Sequence, residues 1–352
     1  MKHLSAEYST PASVSVVISC YNYARFLPQA VQSCLEQQDV YVDVIIVDDA
    51  STDTSLAVAR TLAETNGNVS VLAHDRNKGI VETFNDGAKA ATGEFLVRLD
   101  ADDLLTPGSL ARGTRLAREV PAVGFVYGHP LHFDGDLPKA RTRASAWTIW
   151  PGLEWLADRC RSGKNVITSP EVLMRRAVIE ELGYMAPLRH AHDMELWLRI
   201  AAFTDVGYVH GADQAWHRDH PDSVSAREVD GLVDLAERLE AFEILFSGIA
   251  RSAPGAAGLL VDARHALVSE ALHTARLELD RGLPHPELFE SYLTFVETTD
   301  SSVLAAARLQ TLRDRGATPH SNGFNPWRLA RRVQGRARSE LSWRRWHREG
   351  VF

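Results

Sequence analysis

Three aspartates follow an apolar segment of the chain almost side by side. Residues 94–99 predict a buried strand, and Asp100, Asp102 and Asp103 come directly after it. Carboxylates this close repel one another, and their burial is costly unless a cation lies among them. Mg²⁺ and Mn²⁺ take oxygen ligands and commonly bridge a carboxylate to substrate phosphates. The pattern predicts such a site, although Asp103 could instead cap the helix that Thr106-Pro107 would begin.

A second acidic pair, Asp48-Asp49, follows the apolar segment 42–47. An acidic residue after the second strand of a nucleotide-binding sheet can accept hydrogen bonds from the base or the ribose. The alternative is capping of the next helix, which Ser51 and Asp53 could already supply. We favour Asp49 over Asp48 as the ligand residue.

Alternating strands and helices must position these carboxylates. The predicted strands are Val14–Ser19, Val42–Val47, Val69–Ala73 and Glu94–Leu99, and the predicted helices are Ala24–Gln37, Thr54–Glu64 and Val81–Ala91. This alternation indicates β-α-β units and a mostly parallel sheet flanked by helices, an α/β fold. Ligands of such sheets bind beyond the carboxyl ends of the strands. Glycine patterns of dinucleotide and P-loop sites are absent from the sequence, which disfavours both classes.

The rest of the chain becomes increasingly helical. Short strands are predicted at Val123–Tyr127 and Val206–His210, and helices at Glu154–Arg161, His192–Phe203, Val229–Ala250, Ala256–Asp280 and Leu288–Asp314. We expect a catalytic domain over residues 12–230, with a nucleotide-binding half at 12–110 and an acceptor half at 111–230. A helical region, 231–325, and a basic tail rich in Trp and Arg, 326–352, follow it.

Composition narrows the class of protein. The chain has 352 residues, 45% of them hydrophobic, and a net charge of −8, which argues against a general nucleic-acid binder. Its three cysteines lack C-x-x-C spacing, so neither a disulfide framework nor a zinc ribbon is indicated. No apolar run approaches the ~20 residues that cross a bilayer. We therefore expect a cytoplasmic protein, or one peripheral at the inner face of the membrane.

Five short motifs occur in an order and spacing that resemble a known family. They are Val14–Asn22, Ile46–Asp53, Asn77–Gly79 with Asn85–Gly87, Thr92–Glu94 and Leu99–Asp103. Together they resemble the inverting family 2 glycosyltransferases of the GT-A fold. The resemblance is close over about the first 110 residues and looser to about Ser225. It implies a GT-A-like fold and a nucleotide-sugar donor, usually a UDP-sugar.

The resemblance also implies roles for individual residues. Asp49 would contact the base, Asp100 the ribose, and Asp102 the metal ion that holds the diphosphate. Ser19 and Tyr21 would line the nucleoside pocket. The sequence departs from the family at Ser19-Cys20, where Pro-Thr is more common.

His192-Asp193 begins a predicted helix in the acceptor half. The family commonly has Glu-Asp at this place, so the resemblance assigns the catalytic base to Asp193. An inverting transfer needs a base that removes the proton of the acceptor hydroxyl. The alternative is that Asp193 only stabilises the helix N-terminus, an effect of about 1 kcal/mol.

The segment His217-Arg218-Asp219-His220 is similar to a Tyr-Arg-x-His segment of the family, with His217 in place of Tyr. The similarity points to His220 as a residue that binds the metal ion or the diphosphate. A solvated loop that contains histidines is the alternative interpretation.

The tail beyond Pro326 carries many arginines among tryptophans. It could lie on an anionic membrane surface, with about 1 kcal/mol of attraction per basic residue, which would suit a lipid-linked acceptor. A solvated helix that packs its tryptophans on the protein body is the alternative.

The sequence therefore predicts a metal-dependent, inverting transfer of a sugar from a nucleoside diphosphate donor to a hydroxyl of a carbohydrate or lipid-linked acceptor. Assembly of cell-surface polysaccharide or glycolipid would fit this activity. Two alternatives stay open: a nucleotidyl- or phosphotransferase that uses the same metal–diphosphate chemistry, and a non-catalytic carbohydrate-binding module on the same fold.

Overall fold

A computed structural model describes residues 10–220, 230–281, 283, 285–300, 302–316, 337, 340, 341 and 344 of the chain. The chain divides into two compact units. The first comprises Met1–Leu153, Ile167–Pro187 and Phe203–Ser223, and the second comprises Glu154–Val166, Leu188–Ala202 and Val224–Phe352. The segments Glu154–Val166 and Leu188–Ala202 of the predicted acceptor half thus belong to the second unit.

A nine-stranded sheet forms the centre of the first unit. Its strands are β1 (Ala12–Cys20), β2 (Val40–Asp48), β3 (Val69–Ala73), β4 (Phe95–Asp100), β5 (Leu104–Leu105), β6 (Val123–Phe133), β7 (Ala146–Trp150), β8 (Leu173–Arg175) and β9 (Asp205–Arg218). Their order is β3-β2-β1-β4-β8-β6-β9-β5, and β7 pairs with β9. The first four strands pair in parallel, and β6 pairs in parallel with β9.

Helices flank the sheet and continue along the chain. They are α1 (Leu27–Leu35), α2 (Ser55–Thr65), α3 (Ile80–Ala90), α4 (Ser109–Glu119), α5 (Gly152–Ser162), α6 (Arg176–Leu182), α7 (His192–Ala201), α8 (Gly231–Ser247), α9 (Ala256–Asp280), α10 (Pro286–Thr299) and α11 (Val303–Gly316). The predicted α/β fold, with a sheet flanked by helices and a helical C-terminal region, is confirmed.

The apolar runs that predicted the first four strands lie in the core. Val14, Val16 and Ile18 of β1 are fully buried, as are Val44 and Ile46 of β2. Near-continuous Val and Ile suit strands that are covered on both faces, and this is why the strands could be predicted from residue type. The same runs fix the positions at which each strand ends.

Two strands extend well past their predicted ends. β6 continues to Phe133 and β9 to Arg218. Histidines and other polar residues in these extensions interrupt the apolar pattern, so residue type did not signal the strand. The two-residue β5 follows the aspartates directly and pairs antiparallel with β9, Leu104 opposite Trp216. This pairing brings the end of β9 beside Asp103.

In the second unit, the predicted single helix over 288–314 is wrong. Two helices occupy this stretch, α10 and α11, and the first ends at the C-cap residue Asp300. The Asp300 carboxylate accepts a hydrogen bond from the backbone N–H of Ser302 at 2.8 Å, a local bond that competes with helix continuation. Among the helices that the structure describes, none is both long and apolar enough to span a bilayer.

The predicted basic tail falls almost entirely outside the described residues. Four of its positions are described, and among them Arg344 pairs with Glu340 at 2.9 Å while Leu341 is exposed. Contact of the tail with a membrane surface therefore stays a prediction.

Strand register brings the predicted nucleotide residues to one edge of the sheet. Ser19 of β1 lies beside Asp100 of β4, and Cys20 lies beside Asp48 of β2. All three strands are parallel, so their carboxyl ends and the following loops converge at this edge. The polar segments that follow β1, β2 and β4 therefore lie together at this edge of the sheet.

We expect Gly87→Val to destabilise the protein by about 1–3 kcal/mol, because the added side chain overpacks a filled core. A Cβ atom at Gly87 of α3 would lie 2.4 Å from Val17 and 2.9 Å from Val47. Gly258→Val is the matched control, since Gly258 is also helical and a Cβ atom there would have no described atom within 4 Å. Urea denaturation measures both variants, and equal midpoints would contradict the packing argument.

Candidate nucleotide and metal site

Asp100 ends β4 and is held by an arginine of the same strand. One terminal nitrogen of Arg98 donates to both carboxylate oxygens of Asp100, at 2.7 and 3.0 Å, and the other donates to Ser169 at 2.8 Å. Arg98 is buried, whereas the Asp100 side chain is 30% exposed. The ion pair therefore orients a carboxylate whose surface stays accessible to a ligand.

Asp102 is buried and meets the side chain of His220. The Asp102 Oδ2 and His220 Nε2 atoms lie 2.8 Å apart, so the fold brings together the two predicted metal ligands, 118 residues apart in the chain. Burial raises the pKa of Asp102 to about 6, with contributions from the charges of Asp103 and Asp100, against the opposing hydrogen bond from His220. The cost of ionising Asp102 in this place is what a bound cation would offset.

The rings of Tyr23 and Phe26 lie beside the His220 ring, with centroids 6.0 and 5.5 Å away. They flank the imidazole that faces Asp102. The Nδ1 atom of His220 is buried and has no hydrogen-bond partner among the residues that the structure describes. The solvated-loop interpretation of His220 is wrong, because its side chain is 10% exposed.

Asp103 is buried and bonds to the end of β9. Its Oδ1 accepts the backbone N–H of Arg218 at 2.9 Å, and its Oδ2 lies 3.0 Å from His217 Nδ1. The capping interpretation of Asp103 is wrong, because the N-cap of α4 is Gly108. Burial lowers the pKa of His217, but the hydrogen bond and charge of Asp103, with the charges of Glu171 and Asp100, outweigh it and raise that pKa to about 9.

Arg218 contacts both the aspartate segment and the aromatic rings near it. Its Nε donates to the Asp102 carbonyl at 3.0 Å, and its guanidinium lies over the rings of Phe26 and Phe133, 4.7 and 4.5 Å from their centroids. Cation–π contacts and planar donors suit arginine at such a place. Sequence reasoning did not single out Arg98, although its place two residues before Asp100 in one strand puts both side chains on the same face.

Asp49, the predicted base contact, is 3% exposed and anchors the loop after β3. Its two oxygens accept the backbone N–H groups of Lys78 and Gly79, at 2.8 and 2.9 Å, and Oδ1 also lies 2.7 Å from His74 Nδ1. The loop lines a cleft of about 500 Å³, formed by Ala73, His74, Asp75, Arg76 and Lys78. Asp49 therefore shapes one wall of a concave surface next to the carboxyl edge of the sheet.

The other predicted nucleoside residues lie at the same edge. Ser19 is buried, and neither its hydroxyl nor Asp48 Oδ1 has a hydrogen-bond partner in the described part of the chain. The Tyr21 side chain follows β1 and is 43% exposed. Buried polar atoms normally find partners, so the two unpartnered oxygens mark places where a ligand or water would bond.

Asp193, the predicted catalytic base, lies in the second unit, in the first turn of α7. Its Oδ1 accepts the backbone N–H of Met194 at 2.6 Å and lies 3.5 Å from Asn165 Nδ2. The N-cap residue of α7 is Ala191, so the carboxylate sits inside the helix start rather than at the cap. A negative charge in this turn is favourable to the helix dipole, and the base role stays a prediction.

Within the first unit, the arrangement combines three functions at one edge. Carboxylates and an imidazole can hold a divalent cation, the cleft beside Asp49 can take a planar ring, and Ser19 and Asp100 lie between the two. Such an edge is suited to bind a nucleoside diphosphate with its metal ion.

Comparison with known sequences finds similarity to glycosyltransferases. The glycosyl transferase family 2 model matches residues 15–183. An uncharacterized glycosyltransferase of Nostoc is 40% identical over 180 residues, which cover 50% of this chain and 55% of the relative. The succinoglycan biosynthesis protein ExoU of Rhizobium meliloti is 28% identical over 204 residues, covering 55% of this chain and 58% of that protein. The chain thus spans little more than half the length of these relatives.

Comparison with solved structures supports the same fold. The structure of residues 1–349 of S. aureus TarS in complex with UDP-GlcNAc superposes with a TM-score of 0.60 at 16% identity, covering 86% of this chain and 88% of that TarS chain. The mannosyltransferase PcManGT of Pyrobaculum calidifontis, in complex with GDP-Man and Mn²⁺, gives 0.54 at 18% identity, covering 93% and 85%. The fold is that of the GT-A glycosyltransferases.

We expect Asp49→Asn to cost about 1–3 kcal/mol in stability, because an amide NH₂ would face a backbone N–H that now donates to a carboxylate oxygen. Asp75→Asn is the matched control, since Asp75 is exposed in the same loop. Thermal unfolding without any nucleotide compares the two variants. A loss confined to nucleotide affinity would contradict the anchoring role of Asp49.

Proposed function

We propose that the protein transfers a sugar, with inversion, from a nucleoside diphosphate sugar to a hydroxyl acceptor, on the ground that residues 15–183 match the glycosyl transferase family 2 model. We propose a divalent ion, Mg²⁺ or Mn²⁺, as its cofactor and a UDP-sugar as its donor. The observation that carries this proposal is the meeting of Asp102 with His220 at the carboxyl edge of the sheet, 2.8 Å apart.

The residues at this edge fit a hard divalent ion. Asp102 offers a carboxylate whose charge is costly in the metal-free protein, and His220 offers an imidazole nitrogen next to it. When bound, the ion would neutralise the charge that builds on the leaving diphosphate. Mn²⁺ in the complex of PcManGT supports this class of cofactor.

Residues around the ion would bind and orient the nucleoside. Asp100, oriented by Arg98, would accept hydrogen bonds from the ribose hydroxyls, because its carboxylate is accessible and lies beside Ser19. The cleft lined by His74 and Lys78 would take the base, with Asp49 fixing the loop and Tyr21 as an exposed ring after the neighbouring strand β1. UDP-GlcNAc in the TarS complex supports a UDP-sugar as the donor. GDP-Man in the PcManGT complex makes a GDP-sugar the alternative donor to test first.

Asp193 would remove the proton from the acceptor hydroxyl as the hydroxyl attacks the sugar. A carboxylate in the first turn of a helix is held in one orientation by the backbone N–H groups around it, as the bond from Met194 shows for Oδ1. The acceptor is proposed to be a carbohydrate or a lipid-linked carbohydrate in the assembly of a polysaccharide, which the names of ExoU and ExoO support.

We expect UDP with Mn²⁺ to raise the melting temperature of the wild type, and expect Asp102→Ala to abolish the rise. A ligand that binds only the folded state stabilises it by mass action, and removal of the carboxylate removes the ion that joins protein to diphosphate. A thermal-shift screen of nucleoside diphosphates, with Mn²⁺ and with a chelator, measures the effect. The nucleotide that gives the largest rise identifies the nucleobase that the protein prefers.

Asp136→Ala is the control for this screen, because Asp136 is an exposed carboxylate outside the site. It should behave as the wild type does. An equal rise in Asp102→Ala would remove Asp102 from the metal site. A rise that survives the chelator would contradict metal dependence, and sugar 1-phosphate instead of UDP as the product from a UDP-sugar would favour a nucleotidyltransferase.

We expect Asp193→Asn to lower kcat about 10²–10⁴-fold with little change in the donor KM, because the amide cannot take a proton. Release of UDP from a UDP-sugar, measured with an acceptor panel, reports the rate. Asp134→Asn, an exposed aspartate of the first unit, serves as the control. If Asp193 only favours the helix start, the variant loses stability while kcat stays at the wild-type value.

A further inference from the structure

Two histidines and an aspartate come together where β6 and β9 end. His132 of β6 is the register partner of His217 of β9, and their ring centroids lie 4.9 Å apart at an interplanar angle of 71°. Asp219 follows β9, and its backbone N–H donates to the Phe133 carbonyl at 2.8 Å. Backbone pairing thus fixes three side chains at one end of a strand pair.

The possible ligand atoms of these side chains are close together. His132 Nδ1 lies 3.3 Å from Asp219 Oδ1, and His217 Nε2 lies 4.0 Å from the same oxygen. One ligand atom of each residue falls within 4.8 Å of the others. Zinc–ligand bonds of 2.0–2.1 Å in a tetrahedral site put neighbouring ligands about 3.3 Å apart. Small side-chain rotations are therefore enough to close the three atoms around one ion.

A buried carboxylate already orients one of the two imidazoles. His217 Nδ1 lies 3.0 Å from Asp103 Oδ2, and the Asp103 side chain is 1% exposed. A hydrogen bond from Nδ1 to a carboxylate fixes the ring and directs Nε2 to the other side. Metal-binding histidines commonly have such a carboxylate behind them, which also makes the ring a stronger ligand.

The cluster is accessible to a metal ion from solvent. The side chains of His132, His217 and Asp219 are 33%, 30% and 57% exposed. Over the described ranges, the ion-pair partners of Asp219 are these two histidines alone, so no lysine or arginine there competes for its carboxylate. Two imidazoles, one carboxylate and an open side suit a first-row transition metal such as Zn²⁺, with water as a further ligand.

We propose that His132, His217 and Asp219 form a second metal site, which binds Zn²⁺ or a similar transition-metal ion and is separate from the pair Asp102–His220. The ion ties β6 to the segment between β9 and His220. Because Asp103 orients His217 and is the chain neighbour of Asp102, occupancy of this site restrains the segment that carries His220. The site is thus a structural clamp on the end of β9 rather than part of the transfer chemistry.

Co²⁺ titration of the full-length protein, freed of metal by a chelator, tests the site through its visible absorption. The titration is run at about pH 8, because a metal must displace the proton that Asp103 favours on His217. We expect His132→Ala and Asp219→Asn each to weaken Co²⁺ binding by about tenfold or more, and Asp103→Asn by about 10–100-fold. Competition by Zn²⁺ should remove the absorption.

Two controls separate this site from others. Asp102→Ala removes a ligand of the other proposed metal site, so it serves as a background in which His132→Ala should still lower the Co²⁺ absorption. His285→Ala, which removes an exposed histidine of the second unit, should titrate as the wild type does. Equal Co²⁺ affinity in the wild type and His132→Ala would overturn the proposal, as would loss of the absorption in Asp102→Ala. Circular dichroism of every variant confirms that each is folded before its affinity is compared.

Discussion

Three carboxylates within four residues must be accommodated where β4 ends, and this constraint organises the edge of the sheet. Each carboxylate has a different partner: Arg98 for Asp100, His220 for Asp102, and the end of β9 for Asp103. Like charges in a buried place would otherwise take up protons or unfold the segment. Of the three carboxylates, Asp102 has the negative charge that its partners offset least. This is the carboxylate for which we propose a metal ion.

The two-residue strand β5 connects this cluster to β9. Leu104 pairs with Trp216, and the next residues of β9 therefore lie beside Asp103. A backbone bond from Arg218 and a side-chain bond from His217 fix both oxygens of that carboxylate. A short antiparallel pairing thus places His217, Arg218 and His220 around the aspartates, and the same strand end carries the histidine pair proposed as a second metal site.

Asp49 shows how one carboxylate can be both structural and near a ligand. Its oxygens accept two backbone N–H groups of the loop after β3 and meet His74. A carboxylate oxygen has more than one acceptor direction, so these bonds fix the loop without filling all of them. The cleft beside that loop therefore has a shape set by Asp49, whichever nucleobase it binds.

The sequence alone determined the alternation of strands and helices in residues 14–100, because burial on both faces demands continuous β-branched residues there. It also placed Ser19, Asp49, Asp100 and Asp102 at strand ends. It did not reveal the ends of β6 and β9, whose polar residues carry no strand pattern. Only the tertiary structure decided the partners of the carboxylates, since Asp102 and His220 are 118 residues apart. Such contacts depend on strand order and register, which local residue patterns do not encode.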